Sequence, residues 1–198
     1  SPAYHEGTVY VAVEYPAPSG ALFAVDAATG EVIFSDDRVT DHPHSTPGIA
    51  RGLGTLSIGA NDGQLYTWSF PDLEFRWTFD AGRAVKAPIA VYDGAAFFGS
   101  WDEAVFRVDL ATGERDWRFD ATGFVMSGVG VDPDRGVAYV GSHDHQVYAL
   151  DVATGAEQWR FGTGGRVTGC PAVTGDRVVV GSYDGSLYAL DADDGTEL

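Results

Sequence analysis

Lysine is almost missing from this chain. Lys86 is the only lysine among 12 basic residues, which stand against 29 acidic ones and leave a formal net charge of −17. A charge this negative disfavours nucleic acid and anionic membrane surfaces as partners, because both are polyanionic. The sequence also lacks any apolar run of ~18 residues or more that could cross a bilayer as a helix. It therefore predicts neither a nucleic-acid-binding surface nor insertion into a membrane.

The acidic excess is carried by aspartate, with 21 Asp against 8 Glu, and 11 of the 12 basic residues are arginine. This composition resembles that of proteins from brine or from salt-saturated cytoplasm. At molar salt the Debye length is only ~3 Å, so repulsion among the carboxylates is largely screened. We therefore expect a halophilic source, a halophilic archaeon in particular. An ordinary acidic surface that favours solubility is the alternative.

Cysteine and methionine occur once each, as Cys170 and Met126. A single cysteine excludes an intrachain disulfide and the cysteine-rich zinc motifs. Cys170 precedes Pro171 at the start of an inner strand, and we expect a small buried residue there rather than a reactive thiol. The sequence contains no nucleophile with a base and an orienting group, and no phosphate-cradling glycine loop. We therefore expect no catalytic residue and no cofactor.

What the sequence does contain is one signal that returns four times. Gly-x-x-Asp recurs at intervals of 40, 42 and 40 residues, at 59–62, 99–102, 141–144 and 181–184. A period near 40 made of short strand-like runs is typical of propeller blades. An earlier copy, without the signal, begins the chain. We divide the single domain 1–198 into repeats at about 1–43, 44–84, 85–125, 126–167 and 168–198.

Each repeat predicts four antiparallel strands joined by hairpin turns that contain Gly or Asp. In the third repeat we expect the strands at about 88–92, 95–99, 105–109 and 114–119. The fifth repeat stops where its fourth strand should run. The sequence therefore predicts an all-β propeller of four full blades and a fifth without its outer strand, whose open edge invites association with another strand. We interpret the chain as a piece of a larger ring, with a small propeller as the alternative.

The segment that follows the aspartate is also repeated, most completely as Ala-Leu-Asp-Val-Ala-Thr-Gly-Ala-Glu-Gln-Trp at 149–159. It resembles the tryptophan-docking motif of the PQQ-like (pyrroloquinoline quinone enzyme repeat) β-propeller family. The resemblance implies that one aromatic residue of each fourth strand packs against the neighbouring blade, and it assigns this structural docking role to Phe34, Trp77, Trp117 and Trp159. An indole suits the role because it buries a large apolar area while its N–H finds a partner. Kelch and WD-type repeats are the alternatives, but their signatures do not recur.

This resemblance implies two kinds of function. Enzymes of the family use the quinone and Ca²⁺, and many stack the quinone on a vicinal disulfide, which a chain with one cysteine cannot form. The sequence also shows no cluster of Glu, Asn and Asp that would hold Ca²⁺. Other members, the propellers of outer-membrane assembly lipoproteins and of archaeal cell-surface proteins, hold other proteins. We therefore predict a non-catalytic scaffold for protein–protein interaction, with an unknown protein partner and an extracytoplasmic or cell-surface location. A fragment of a quinone-dependent dehydrogenase and a ligand-sensing domain of a longer chain are the alternatives.

Positions that differ between repeats are the candidates for binding. The residue before the aspartate of the signal changes from copy to copy, and the first repeat carries an insertion at 14–18. Blade-forming residues recur, whereas these loops present aromatic and imidazole groups suited to interfaces. We expect an interaction face, with an exposed indole at a loop tip, formed by Tyr15, Asn61, Trp101, His143 and Tyr183. Drift in unconstrained loops is the alternative.

Aspartates and histidines are the remaining candidates for metal ligands. The aspartates of the repeated signal occur once per blade at a turn, which predicts a capping role rather than convergence on an ion. His42 and His44 fall in a linker, and His143 and His145 in a loop, on the same expected face but in non-adjacent repeats. We expect solvated histidines and no metal site. His5 is expected on the opposite face.

Overall fold

The computed structural model describes residues 1–16 and 18–198. Within these ranges the regular secondary structure consists of β-strands and one 3-10 turn at Arg51–Leu53. Blade one contains β1 (Ala3–His5), β2 (Thr8–Glu14), β3 (Gly20–Asp26) and β4 (Val32–Val39). Blade two contains β5 (Gly48–Ala50), β6 (Thr55–Gly59), β7 (Gln64–Ser69) and β8 (Phe75–Asp80). In these described ranges, no helix has the length and apolar character needed to cross a membrane.

Blade three contains β9 (Ala90–Tyr92), β10 (Ala95–Ser100), β11 (Ala104–Asp109) and β12 (Arg115–Asp120). Blade four contains β13 (Val129–Asp132), β14 (Val137–Gly141), β15 (Gln146–Asp151) and β16 (Glu157–Gly162). Blade five contains β17 (Ala172–Thr174), β18 (Arg177–Gly181) and β19 (Leu187–Asp191). The strands of blade three begin and end within two residues of their predicted bounds.

Every blade is an antiparallel meander in which strands pair in chain order. Blade five has three strands, and only an isolated bridge between Leu190 and Glu197 stands where a fourth would pair. The predicted all-β architecture of four full blades and a fifth without its outer strand is therefore confirmed.

Burial of the strands follows from the stacking of blades face to face. The second strand of blade three, β10, is buried at every position, and the third, β11, is buried at four of six. The fourth strand, β12, is largely exposed apart from Trp117 and Phe119. Strands buried on both faces carry nearly continuous apolar residues, whereas a strand at the rim keeps polar groups.

The hydrophobic core consists of clusters at the four seams between consecutive blades. Blades three and four, for example, share one cluster that contains Phe97, Val105, Val140 and Leu150. Each blade therefore depends on its neighbour for burial, as expected for repeats that cannot form a core alone.

The glycine of the Gly-x-x-Asp signal is required because the linker to the next blade passes directly over it. A Cβ atom on Gly141 would lie 2.2 Å from a methyl carbon of Val167, and the equivalent glycines of blades two and three have the same relation to a linker valine. Any larger residue would push neighbouring blades apart. At these three positions the repeated glycine is thus a packing requirement of the seam, whereas a Cβ atom on Gly181, in the last blade, would meet nothing within 4 Å.

Cys170 departs from its prediction. It is exposed just before β17, so the expectation of a buried residue is wrong. Its side chain lies against Gly128, at the start of the preceding blade, and the rest of it is open. Partial burial against that neighbour raises the pKa of the thiol, which disfavours the reactive thiolate.

Candidate functional site

The loops between the second and third strands of each blade lie beside the linkers that join the blades, and together they form one surface, here called the loop face. The backbone N–H of Trp101 donates to the carbonyl of Ala84 at 2.9 Å, and that of His143 donates to Phe124 at 2.9 Å. The equivalent bonds in blades two and five join Asn61 to His42 and Tyr183 to Arg166, each at 3.0 Å. Four of the five predicted interaction residues therefore stand in equivalent positions on this face.

The aspartate of the repeated signal ties its loop to the preceding linker. Asp144 accepts from the backbone N–H of Thr122 at 2.9 Å, from the Tyr148 hydroxyl at 2.7 Å and from the N–H of Gln146 at 3.0 Å. Burial alone would raise the pKa of Asp144, but these hydrogen bonds, led by that of Tyr148, hold it below its usual range. The equivalent aspartates of blades two and five make corresponding contacts. These carboxylates join parts of the fold and do not converge on one point.

Aromatic side chains line a groove on the loop face of blades three to five. The indole of Trp101 is stacked on the ring of Phe124, with ring centroids 5.1 Å apart and an interplanar angle of 4°. His143 lies on the other side of Phe124, with centroids 6.1 Å apart. Together with Tyr183 and Met126, the only methionine, they border an open groove of about 430 Å³.

Trp101 is not the exposed loop-tip indole that the sequence led us to expect. It is half-buried, because one neighbour is the stacked Phe124 and another is Lys86, whose Nζ lies 4.2 Å from the indole centroid. The prediction of an exposed tryptophan is therefore wrong. Tyr183 is the exposed aromatic residue of the groove, at 64%.

Three cations lie against the aromatic residues of the groove, of which Arg166 lines the groove itself and Lys86 and Arg83 line a hollow beside it. Besides Lys86 on Trp101, the Arg166 guanidinium lies 4.1 Å from the centre of the Tyr183 ring, and that of Arg83 lies 5.4 Å from Phe124. Among the described residues, none of the three cations has a carboxylate oxygen within 4.0 Å, whereas six other arginines do. The loop face thus gathers unpaired positive charge on a strongly acidic chain.

Three of the variable residues hold buried polar atoms without partners. Trp101 Nε1, His143 Nε2 and Asn61 Oδ1 make no hydrogen bond to any residue that the structure describes. Leaving such an atom unpaired costs roughly 1–3 kcal/mol. Burial, and then the charge of Arg166, lowers the pKa of His143, so its imidazole is neutral near pH 7. The loop face therefore carries donors and acceptors that the fold itself does not use.

The groove continues towards blade two. Trp101 also lines a second hollow, of about 380 Å³, whose other walls include Asn61, Lys86 and Arg83. The shared indole makes the two hollows neighbours, so one extended segment could occupy both. The loop face thus offers a binding surface across several blades.

Tyr15 and His5 lie apart from this surface. Tyr15 follows β2, donates its N–H to the carbonyl of Ser19 at 3.1 Å and is 37% exposed, but it lines neither hollow. Residue 17 of the predicted insertion is outside the described residues. His5 ends β1 at the opposite end of the blades, in a hollow with Arg51 and Phe70.

The aromatic residues of the fourth strands lie at the seams. Trp117 Nε1 donates to the carbonyl of Val152 at 2.9 Å, and Trp159 Nε1 donates to that of Ala192 at 3.1 Å, in each case in the next blade. A Cβ atom on Gly155 would lie 2.6 Å from the Trp117 indole, which shows how closely the turn approaches it.

The equivalent residues of the first two blades make less complete contacts. Trp77 lies against Gly113 in the same way, but its Nε1 has no partner among the described residues. Phe34 is partly buried against the cluster between blades one and two, which includes Leu73. Within the described residues, Trp117 and Trp159 make the hydrogen bond, whereas Trp77 and Phe34 do not. Comparison of the two pairs therefore separates the effect of this bond from that of ring packing.

Comparison with known proteins places this architecture in a family. A family model described as outer membrane protein assembly factor BamB matches residues 18–129 and 121–198. The chain belongs to this family. The predicted PQQ-like propeller family is therefore confirmed. No curated protein matches the chain significantly in sequence.

Solved structures agree on the fold. The crystal structure of BamB from Moraxella catarrhalis has a TM-score of 0.82 and 18% identity, and the match covers 100% of this chain and 62% of that one. The computationally designed Ika8 protein has a TM-score of 0.84 and 20% identity, with 100% of this chain and 59% of that one covered. The chain thus spans less than two thirds of the length of either structure. At these identities the likeness concerns the fold.

Proposed function

We propose that the chain is a non-catalytic scaffold that binds a protein partner on its loop face. The observation that carries this proposal is the groove itself, where variable residues of three blades meet and Trp101 Nε1 and His143 Nε2 lack partners. The family description as an outer membrane protein assembly factor supports a role in holding proteins, and with it an extracytoplasmic or cell-surface location.

The chemistry of the groove specifies the kind of segment that would fit. Its aromatic walls suit an apolar side chain, while Lys86, Arg83 and Arg166 suit carboxylates on either side of it. Elsewhere the acidic surface repels a negative segment, which directs it to the loop face. We therefore propose a partner segment that combines acidic residues with an apolar anchor.

A binding role also fits the state of the titratable groups beside the groove. Asp144 is adjacent to His143 in sequence, but its carboxylate already accepts hydrogen bonds from Thr122, Gln146 and Tyr148. It is therefore not placed to act as a base or to orient the imidazole. Anchoring by aromatic residues and arginine is typical of protein interfaces.

Selection from a displayed random-peptide library tests the proposal. We expect the selected peptides to be enriched in Asp and Glu around an aliphatic or aromatic residue. Trp101→Ala and Tyr183→Ala should each weaken binding of a selected peptide by ~1–4 kcal/mol if they are anchors. His5→Ala, at the opposite end of the blades, is the control and should change nothing. Selection of basic peptides, or binding that ignores both aromatic changes, would contradict the proposed site.

A quinone assay separates the scaffold from the enzymatic alternative. A ligand at 100-fold above its Kd stabilises a protein by ~2.7 kcal/mol, which is a readily measured thermal shift. For the scaffold, we expect pyrroloquinoline quinone with Ca²⁺ to give neither a thermal shift nor dye-linked oxidation of alcohols or aldoses. Quinone-dependent turnover would overturn the non-catalytic assignment.

A further inference from the structure

A cluster of metal-ligating side chains lies on blade one, away from the aromatic groove. Glu14 ends β2, and His42 and His44 belong to the linker between β4 and β5. His44 Nδ1 is 3.0 Å from Glu14 Oε1, and His42 Nδ1 is 3.9 Å from Glu14 Oε2. One ligand atom from each of the three side chains lies within 4.8 Å of the other two. We propose that these residues bind a transition-metal ion, with Zn²⁺ as the principal occupant.

The donor set determines the choice of metal. Zinc binds imidazole nitrogen and carboxylate oxygen at ~2.0–2.2 Å, which places tetrahedral ligand atoms roughly 3.3 Å apart. The observed separations of 3.0 and 3.9 Å lie on both sides of that value, so only small rotations of the exposed Glu14 and His44 and of the half-buried His42 are needed to close the site. Two nitrogen ligands disfavour Ca²⁺ and Mg²⁺, which take oxygen ligands. Asp41 is not one of the three clustered ligands, because its Oδ1 accepts from the backbone N–H of His42 at 2.7 Å and orders the linker instead.

The backbone that carries the ligands is held in place by the fold. Pro43, between the two histidines, packs on Gly20, where a Cβ atom would lie 2.3 Å from the proline ring. Gly20 is in turn the cross-strand partner of Glu14. The linker is also fixed beyond the histidines, where Ser45 Oγ accepts from the N–H of Gly59 at 2.6 Å. An arriving ion therefore orders side chains rather than a loop, which lowers the entropic cost of binding.

Charge at the site favours a cation. Within the described ranges, no lysine or arginine lies within 4.0 Å of the carboxylate of Glu14 or Asp41. The ion would add positive charge beside the Glu14 carboxylate on a chain of net charge −17. The sequence did not reveal this site, because Glu14 belongs to the first-repeat insertion and is 28 positions before His42.

Calorimetric titration of tag-free, chelator-treated protein with Zn²⁺ tests the proposal. We expect one ion per chain, and at least a tenfold loss of affinity in each of Glu14→Gln, His42→Gln and His44→Gln. His145→Gln, an exposed histidine elsewhere on the loop face, should leave the affinity unchanged. Ca²⁺ and Mg²⁺ should not compete for the site. Far-UV circular dichroism establishes that each variant retains the fold.

Zinc-edge X-ray absorption of the wild-type complex gives a second reading that needs no variant. We expect a first shell of nitrogen and oxygen with the outer-shell scattering of two imidazoles. Absence of Zn²⁺ binding, a spectrum without imidazole scattering, or unchanged affinity in the His42→Gln/His44→Gln double variant would overturn the proposal. The last result would assign binding to surface carboxylates alone.

Discussion

Removal of the Trp117 indole tests whether the seams hold the blades together. The side chain is 7% exposed, lies against Gly155 of the next blade and donates to the Val152 carbonyl at 2.9 Å. Its truncation to alanine removes a large buried aromatic group and leaves that carbonyl without its partner. Changes of this kind cost ~3–5 kcal/mol. We therefore expect Trp117→Ala to lower the free energy of unfolding by about that amount.

A phenylalanine series separates the hydrogen bond from the packing. Trp117→Phe keeps an aromatic ring but loses the bond to Val152, which should cost ~1 kcal/mol beyond the loss of ring area. Trp77→Phe loses only the ring area, because Trp77 Nε1 has no partner among the described residues. It should therefore be the milder change.

Urea unfolding in high salt, followed by far-UV circular dichroism, measures both effects without depending on tryptophan emission. The docking assignment would be refuted if Trp117→Ala unfolded at the wild-type midpoint. A Trp77→Phe change more costly than Trp117→Phe would refute the role of the hydrogen bond.

Three further predictions address the charge, the turn and the aspartate. Because salt screens repulsion among the carboxylates, raising KCl from about 0.1 M to about 2 M should raise the melting temperature, and a flat or falling curve would remove the halophilic interpretation. Gly155 and Gly30 share a left-handed φ, 72° and 75°, but only at Gly155 would a Cβ meet an indole. Gly155→Ala should thus cost ~1–3 kcal/mol more than Gly30→Ala in urea, and equal costs would contradict the close packing. The lowered pKa of Asp144 means that its stabilising contribution is complete above the unfolded-state value of about 3.9 and is lost as the pH falls through the folded value. The melting-temperature gap between wild type and Asp144→Asn should therefore narrow below about pH 4, and a gap independent of pH would contradict this linkage.

The blade architecture could be predicted because each repeat contains its own strand patterns and turn residues. The second repeat shows how far these can be altered. Leu73 adopts a left-handed φ of 58° where other repeats have glycine. Ser69 stands at the position of the turn aspartate, but it accepts from the N–H of Glu74 at 2.8 Å, a bond that the turn threonine accepts in the third repeat. A repeat that lacks the usual turn residues therefore still forms a blade, since contacts at the seams bury most of its apolar side chains.

The composition of the groove could be predicted only in part. Asn61, Trp101, His143 and Tyr183 stood out because they vary between equivalent positions. Phe124 also varies between equivalent linker positions, which His42, Ala84 and Arg166 occupy elsewhere, but the predicted interaction face was confined to the loops within the blades. The stacking of Phe124 on Trp101 joins residues of neighbouring blades, and it depends on the rotation between blades, which no local pattern encodes.

The central claim, a binding surface for an acidic segment on the loop face, depends most directly on one pair of arginines. Arg166 lies over Tyr183 in the groove, whereas Arg51 is exposed at the opposite end of the blades. Both lack a carboxylate within 4.0 Å among the described residues, so removal of either has the same effect on net charge. The decisive measurement is the Kd of a selected acidic peptide for Arg166→Ala and for Arg51→Ala at one fixed salt concentration. We expect Arg166→Ala to weaken binding at least fivefold, about 1 kcal/mol, and Arg51→Ala to leave it unchanged. Equal effects of the two substitutions, or no effect of either, would contradict the account.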